Sequence, residues 1–238
     1  MNLDRFQNSP TGRAIKVWQA QPPYWAFVPN PLPPQFEFDH ALVSVLSEAD
    51  RALGELAGLG RTLPNPNLLI RPFIRREAVL SSRIEGTQAD VADLYAYEAR
   101  QLALPLAQSA ASDTDVREVF NYVRALEYGL ERINTLPISL RLIRELHARL
   151  MEGVRGDIWT PGEFSRSQNW IGPVGSTLET APYVPPPADD MLAALGDLEN
   201  FIHTLSDLPP LVRLGLIHYQ FEAIHLFLDG NGRVGRLL

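Results

Sequence analysis

Apolar residues recur along most of this chain with a period near 3.6, the spacing of amphipathic helices. Leu42, Leu46, Ala49, Leu53 and Leu56 form the first stripe, with Asp39 as its N-cap and Gly58 or Gly60 as its end. A second helix is expected from Pro72, a favourable first-turn residue, through FIRREAVLSSRIEG to Gly86 as its C-cap. Thr87 and Asp90 resemble a capping box for a third helix, reaching about Leu102. Residues 109–115 read as a linker. Val116, Val119, Phe120, Val123, Leu126 and Leu130 then share one face, and Ser139 caps a helix running through Ile143, Leu146 and Leu150 to Gly153. Helical spacing returns at Leu192, Leu195, Leu198, Ile202 and Leu205. After Pro209 and Pro210 it returns again, at Leu211, Leu214, Ile217, Phe221 and Ile224.

Two segments break the pattern. Residues 1–36 carry six prolines between Pro22 and Pro34. Proline removes backbone donors and fixes φ, so this arm should be extended and wrap a surface, held by Trp18, Tyr24, Trp25 and Phe27. Residues 156–187 mix β-branched residues with Gly and Pro and have no helical period, which predicts a short hairpin or extended flap. The expected architecture is mainly α: a helical bundle with a β-hairpin flap, preceded by an N-terminal helical segment. The regions are an arm at 1–36, a helical region at 37–112 and a core at 113–238.

Composition narrows the class. The 238 residues suffice for one large domain or two small ones, and 45% are hydrophobic against 21% charged, a globular balance. A net charge of −7 argues against nonspecific binding of nucleic acid or anionic lipid. The absence of cysteine excludes disulfides and thiolate metal sites. No uncharged apolar run approaches the ~20 residues of a membrane span, so a soluble, cytoplasmic protein is expected.

The chemistry concentrates in IHLFLDGNGRVGRLL, residues 224–238. Asp-Gly and Asn-Gly are hairpin turn signals, and HLFL and RVGRLL could be the strands. A calcium loop fails, because Arg233 stands where an oxygen ligand belongs and no glutamate follows. His218 and His225 are too far apart in sequence, and too poorly supported by carboxylates, for a persuasive metal pair. The alternative is an anion nest. Gly230, Asn231 and Gly232 let successive N–H groups converge, and a helix starting there adds its dipole. On that helix Arg233 and Arg236, three apart, share a face and can reach one polyphosphate. Asp229 suits Mg²⁺ bridging phosphates, and His225 is a plausible base near neutral pH. No Walker lysine is present, so this is not a P-loop.

This stretch resembles the signature of Fic-domain proteins: His-Pro-Phe, two residues of which the second is acidic, Gly-Asn-Gly-Arg, two residues, Arg. Here His225, Phe227, Asp229, Gly230, Asn231, Gly232, Arg233 and Arg236 match, and Leu226 stands where proline is usual. GEFSRSQNWIG, followed by APYVPPP, resembles the flap that precedes the motif. Ser81, Glu85 and Gly86 resemble the family's inhibitory helix motif, although Ser82-x-x-Glu85 also fits a capping box. The resemblance spans roughly 35–238, and since more helix normally follows the motif, it implies a fragment.

The resemblance implies transfer of AMP from ATP to a Ser, Thr or Tyr hydroxyl of a protein, possibly of this protein itself. His225 would be the base and Asp229 would hold Mg²⁺ or Mn²⁺. The amides of Gly230 to Gly232 and the Asn231 side chain would stabilise phosphoryl charge. Arg233 would bind phosphate and brace the loop, Gly235 would lie in the same phosphate-binding segment, and Arg236 would clamp the γ-phosphate. Phe227 would be a core anchor. Asn169, Trp170, Ile171 and Gly172 of the flap would take the target backbone as an added strand. Glu85 would tie up Arg236 and keep ATP from binding productively; in some relatives it positions water to remove AMP instead. A kinase-like transferase of the Doc type would carry lysine at Gly232. A nucleotide-sensing regulatory protein, acting by interaction alone, is the non-enzymatic rival. A homodimer is compatible with the resemblance.

Overall fold

The computed structural model describes residues 1, 3–102, 113–154 and 160–238. Its first helix, α1 (His40–Thr62), begins as expected, with the Asp39 side chain accepting the Leu42 N–H at 2.7 Å. It runs past Gly58 and Gly60 because glycine permits a stop without imposing one. The helix ends instead at Leu63, which precedes Pro64 and is driven out of the helical region, to φ −82° and ψ 126°. α2 (Asn67–Ile84) starts before Pro72, opened by Pro66 with a helical φ of −63°. It ends at Glu85, after which Gly86 takes φ +97°. α3 (Val91–Leu102) is capped one turn later than expected. Asp90 accepts the Asp93 N–H at 2.8 Å and Asp93 accepts the Asp90 N–H at 3.1 Å. Most of the expected linker at 109–115 lies outside the described residues, but 113–115 already belong to α4 (Asp113–Arg132).

The remaining helices form the core. They are α5 (Leu140–Leu150), capped by Ser139, α6 (Ala188–His203), α7 (Pro210–Ile224) and α8 (Asn231–Leu237). Val119, Tyr122, Ile143, Leu195, Phe221 and Phe227 are fully buried among them, each side chain contributing roughly 1.5–3 kcal/mol of apolar burial. The stripes fade at helix ends: Leu130 is half exposed, and Leu205 lies beyond α6 in solvent. α1 keeps its apolar residues but buries none of them.

The β structure lies elsewhere than expected. The arm forms the two-stranded antiparallel hairpin, β1 (Gly12–Val17) with β2 (Tyr24–Pro29) in the register Gly12 to Pro29. It does wrap a surface. Phe27 donates its N–H to the Val184 carbonyl at 2.8 Å, and Phe6, Phe27 and Tyr183 cluster. Tyr24 and Phe27 are buried, whereas Trp18 is 66% exposed, with the Lys16 ammonium over its ring. The flap, by contrast, has a single antiparallel bridge among the described residues, Ile171 to Tyr183. Its prolines, from Pro173 to Pro187, lack the N–H groups a longer ladder needs. Among the described residues no helix is long and apolar enough to cross a membrane.

Candidate active site

The 224–238 stretch is a helix end, a loop and a helix start, so the hairpin alternative does not hold. α7 ends at His225 in a left-handed conformation, φ 50° and ψ 60°. A non-glycine residue there is strained and must be held by its surroundings. Asn169 supplies that hold from the flap, donating from Nδ2 to the carbonyls of His225 (3.0 Å) and Phe227 (2.9 Å). The loop then closes on itself. The Asn231 Oδ1 accepts the Phe227 N–H at 2.9 Å and its Nδ2 donates to the Phe227 carbonyl at 2.7 Å.

Burial pushes His225 down to about 4, partly offset by the Glu222 carbonyl and the Glu85 and Asp229 carboxylates. Its Nδ1 is buried with no hydrogen-bond partner among the described residues. The ring is therefore neutral at pH 7, and Nε2 has no hydrogen-bond partner among the described residues. That is the state a general base requires.

Gly230, with φ +78°, caps α8. Among the described residues the N–H groups of Asn231, Gly232 and Arg233 make no hydrogen bonds, as expected of a first helical turn. Asp229 accepts the Gly230 N–H at 2.6 Å, and its side chain is 47% exposed. No cluster of three metal-ligating side chains occurs among the described residues. One exposed carboxylate beside unpaired amides does not fit a resident metal. It fits Mg²⁺ or Mn²⁺ arriving with phosphates.

The two arginines part company. Arg236 donates from Nη2 to Glu85 Oε1 (2.7 Å) and to the Ser81 carbonyl (3.1 Å), and from Nε to Ser81 Oγ (2.6 Å). The Glu85 carboxylate also lies over Gly232, where an added Cβ would come within 2.5 Å of Oε1. Glu85 thus sits at the C-terminus of α2, and the capping-box reading of Ser82 and Glu85 falls. Arg233 faces the other way, only 3% exposed, with Nη1 3.1 Å from Glu118 Oε2 of α4. It braces the loop but does not share a face with Arg236, because α8 is wedged between α2 on one side and α4 and α5 on the other.

Two expectations need correction. The Asn231 side chain is 2% exposed and committed to Phe227, so only its backbone N–H can meet a phosphate. Gly235 does not line the nest. It lets α8 pack on α7, where a Cβ would collide with the Glu222 carboxylate, and its carbonyl pairs with His218 Nδ1 at 3.0 Å. In the flap, Asn169 points its side chain into the catalytic loop, Trp170 and Ile171 are exposed, and Gly172 turns tightly against Ser176 and Pro182. Leu226 is fully buried and its carbonyl accepts the Ser165 N–H at 2.9 Å.

Sequence reasoning missed His147, Glu118 and Glu222. His147 interrupts the apolar face of α5 and Glu118 that of α4, and a buried polar residue on such a face is the signal that could have found them. Glu222, a carboxyl pushed up by burial, lies over Gly235 and within electrostatic reach of His218, Arg236 and Glu85.

Comparison with known proteins agrees with this geometry. The Fic/DOC family N-terminal model matches residues 43–131, and the Fic/DOC family model matches residues 137–238. Proteins named protein adenylyltransferase Fic from Drosophila erecta and Drosophila virilis are 30% and 32% identical over 136 residues, covering 56% of this chain. The match spans only about a quarter of their length, 25% and 26%. A Fic family protein from Desulfovibrio desulfuricans shares the fold with a TM-score of 0.63 at 24% identity, over 87% of this chain and 58% of its own. Fic-1 from C. elegans does so with a TM-score of 0.63 at 20% identity, over 83% and 56%. With both family models and the motif geometry in agreement, the chain belongs to the Fic/DOC family.

Proposed function

We propose that this chain is the catalytic part of a protein adenylyltransferase, held inactive by Glu85. The observation that carries the proposal is one arrangement: a neutral His225 with an unpartnered Nε2, next to three unpaired amides of α8 and the Arg236 guanidinium. His225 takes the proton of a target Ser, Thr or Tyr hydroxyl. The hydroxyl oxygen bonds to the α-phosphorus of ATP, the bond from that phosphorus to the bridging oxygen breaks, and pyrophosphate leaves. The amides of Asn231, Gly232 and Arg233 stabilise the charge on the transferring group. Asp229 holds the divalent cation, which neutralises phosphate charge when bound. Arg236 reads the γ-phosphate.

Glu85 occupies the position that a phosphate oxygen would take over Gly232 and pairs with the same guanidinium. Glutamate and γ-phosphate therefore compete. A second reading is removal of AMP, with Glu85 orienting water. Its support is that the carboxylate is close enough to His225 to raise the proton affinity of the ring.

The test uses ATP labelled at the α-phosphate, with Mg²⁺ or Mn²⁺. The Glu85→Gly protein should label itself or a partner, and adding His225→Ala should abolish labelling while nucleotide binding persists. Binding without transfer in Glu85→Gly would indicate a nucleotide-sensing protein. Release of AMP from a labelled substrate that depends on Glu85 would favour the second reading.

A further inference from the structure

One side chain outside the motif holds the loop that presents Asp229. His147 of α5 is 3% exposed, and its ring stacks on Phe227 with centroids 3.7 Å apart and planes 5° from parallel. Its Nδ1 accepts the Gly162 N–H at 2.8 Å. In a neutral imidazole the accepting nitrogen carries no proton, so Nε2 carries it and donates to the Asp229 carbonyl, 3.1 Å away. Both ring nitrogens are used, and the direction of one bond dictates that of the other.

The two groups it bridges belong to separate segments, the flap and the catalytic loop. Gly162, with φ +82°, is gripped by α5, since its carbonyl accepts the Arg144 Nε–H at 2.6 Å. Three residues later Ser165 bonds the carbonyl of Leu226. On the other side, Asp229 Oδ1 receives the Gly230 N–H, which ties the carboxylate to its own backbone. Fixing the Asp229 carbonyl thus fixes the plane from which the carboxylate projects. α5 presses the same point sterically, because a Cβ on Gly230 would lie 3.0 Å from Met151 Sδ and 3.4 Å from His147 Cδ2.

We propose that His147 is a positioning residue: through its Nε2–H bond to the Asp229 carbonyl it pre-orients the Asp229 carboxylate for the divalent cation that accompanies the nucleotide. The Gly162 bond serves to select the tautomer that can donate. An aspartate that is half exposed and free to turn would lose that freedom on binding metal, and a pre-set one loses less. The inference rests on the reading of Asp229 as cation ligand in a nucleotide-transferring site.

Two substitutions separate the two bonds. In His147→Gln the amide nitrogen reaches the place of Nε2 and keeps a donor for Asp229. In His147→Asn the amide oxygen reaches the place of Nδ1, keeping an acceptor for Gly162 and leaving Asp229 without a donor. Both are made in the Glu85→Gly protein, and Mn²⁺ binding beside α,β-methylene-ATP is followed by electron paramagnetic resonance, with metal-free nucleotide affinity as control. We expect Gln within threefold of its parent for Mn²⁺, and Asn at least tenfold weaker, with both within threefold in the control. Equal weakening in the two variants, or no weakening in Asn, overturns the proposal. A measurement on the unsubstituted ring guards against a variant that fails to fold: ¹⁵N chemical shifts of His147 should show a proton on Nε2 alone at pH 7, and a proton on Nδ1 overturns it. A Glu85→Gly parent that binds Mn²⁺ and nucleotide but never transfers AMP would overturn the adenylyltransferase reading and leave the comparison of Gln with Asn intact.

Discussion

The two sides of α8 carry the same kind of residue and use it in opposite ways. Toward α4 and α5, Arg233 is 3% exposed and its partner Glu118 4%, a pair that solvent does not reach. Toward α2, Arg236 is 23% exposed and Glu85 36%, and two of the arginine's contacts are to Ser81. A buried pair cannot exchange partners without stranding a charge in a dry interior, whereas a half-exposed pair can trade one anion for another at little cost. The inner side is thus fixed and shapes the loop, and the outer side is exchangeable and can answer to a ligand. Only Val234 and Gly235 lie between a buried arginine and a partly exposed one.

The largest effect should come from breaking the inner side. Glu118→Ala leaves the buried Arg233 with only its longer, 3.8 Å contact to Asp229 Oδ1 and should cost about 3 kcal/mol, read as a loss of folding free energy in urea titration. A cost below about 1 kcal/mol would mean that water reaches Arg233 after all, and the contrast between the two sides would collapse.

Acid should attack the same region. Burial lowers both His147 and His225 to about 4, from the 6.5 of a free imidazole. The unfolded chain therefore binds protons that the folded chain refuses, and stability is intact above pH 6.5, declines as pH falls toward 4, and flattens below. Each ring should contribute on the order of 3 kcal/mol to that decline. His147→Gln, which cannot titrate, should remove roughly half of the slope in thermal melts between pH 6.5 and 4.

Leu226 sharpens the inner side further. Proline at this position would restrain the loop entrance, a gain if the side chain were free. Leu226 is instead fully buried in the core cluster. Leu226→Pro should cost roughly 2 kcal/mol by denaturant titration, because lost apolar contacts outweigh the restraint. Stabilisation would show that the neighbouring side chains close the gap.

What the chain disclosed in advance follows the same division. Helix starts were readable where a side chain meets a nearby amide, as at Asp39 and Ser139, and the motif loop was readable because its spacing is local. Helix ends at glycine were readable only in part: Gly86, at φ +97°, does follow the end of α2, whereas α1 runs past Gly58 and Gly60, which only permit termination. The pairing of Glu85 with Arg236 joins residues 151 positions apart, and no periodicity reports on it. The shared face of the two arginines was misjudged because helical spacing locates a side chain on its own helix and says nothing of the helices beyond. The two-stranded hairpin formed in the arm rather than in the flap because its strands are freer of proline and rest on Tyr183 and Val184.

On the outer side, Glu85→Gly should raise AMP transfer at least tenfold, equivalent to ~1.4 kcal/mol, with melting temperature little changed. ATP should tighten more than ADP, since only ATP brings a γ-phosphate to Arg236. Equal changes for the two nucleotides in calorimetric titration would remove competition as the cause.

The smallest effect, and the finest test of exchangeability, concerns Ser81. Its hydroxyl accepts the Arg236 Nε–H at 2.6 Å, and its carbonyl accepts from Nη2. Ser81→Ala removes the first contact and keeps the second, along with Glu85. A hydrogen bond to a charged group at a partly buried site is worth about 1.5 kcal/mol at most when its donor can turn to water or to another anion. If Ser81 only steadies the arginine in the Glu85-bound position, its loss should free Arg236 slightly and raise transfer about two- to fivefold, less than Glu85→Gly does. Combined with Glu85→Gly it should add nothing, because the inhibited position no longer exists to be steadied. A fall in transfer in the Glu85→Gly background would mean the reverse: Ser81 aims Arg236 at the γ-phosphate, and the outer side is less free to exchange than its exposure suggests.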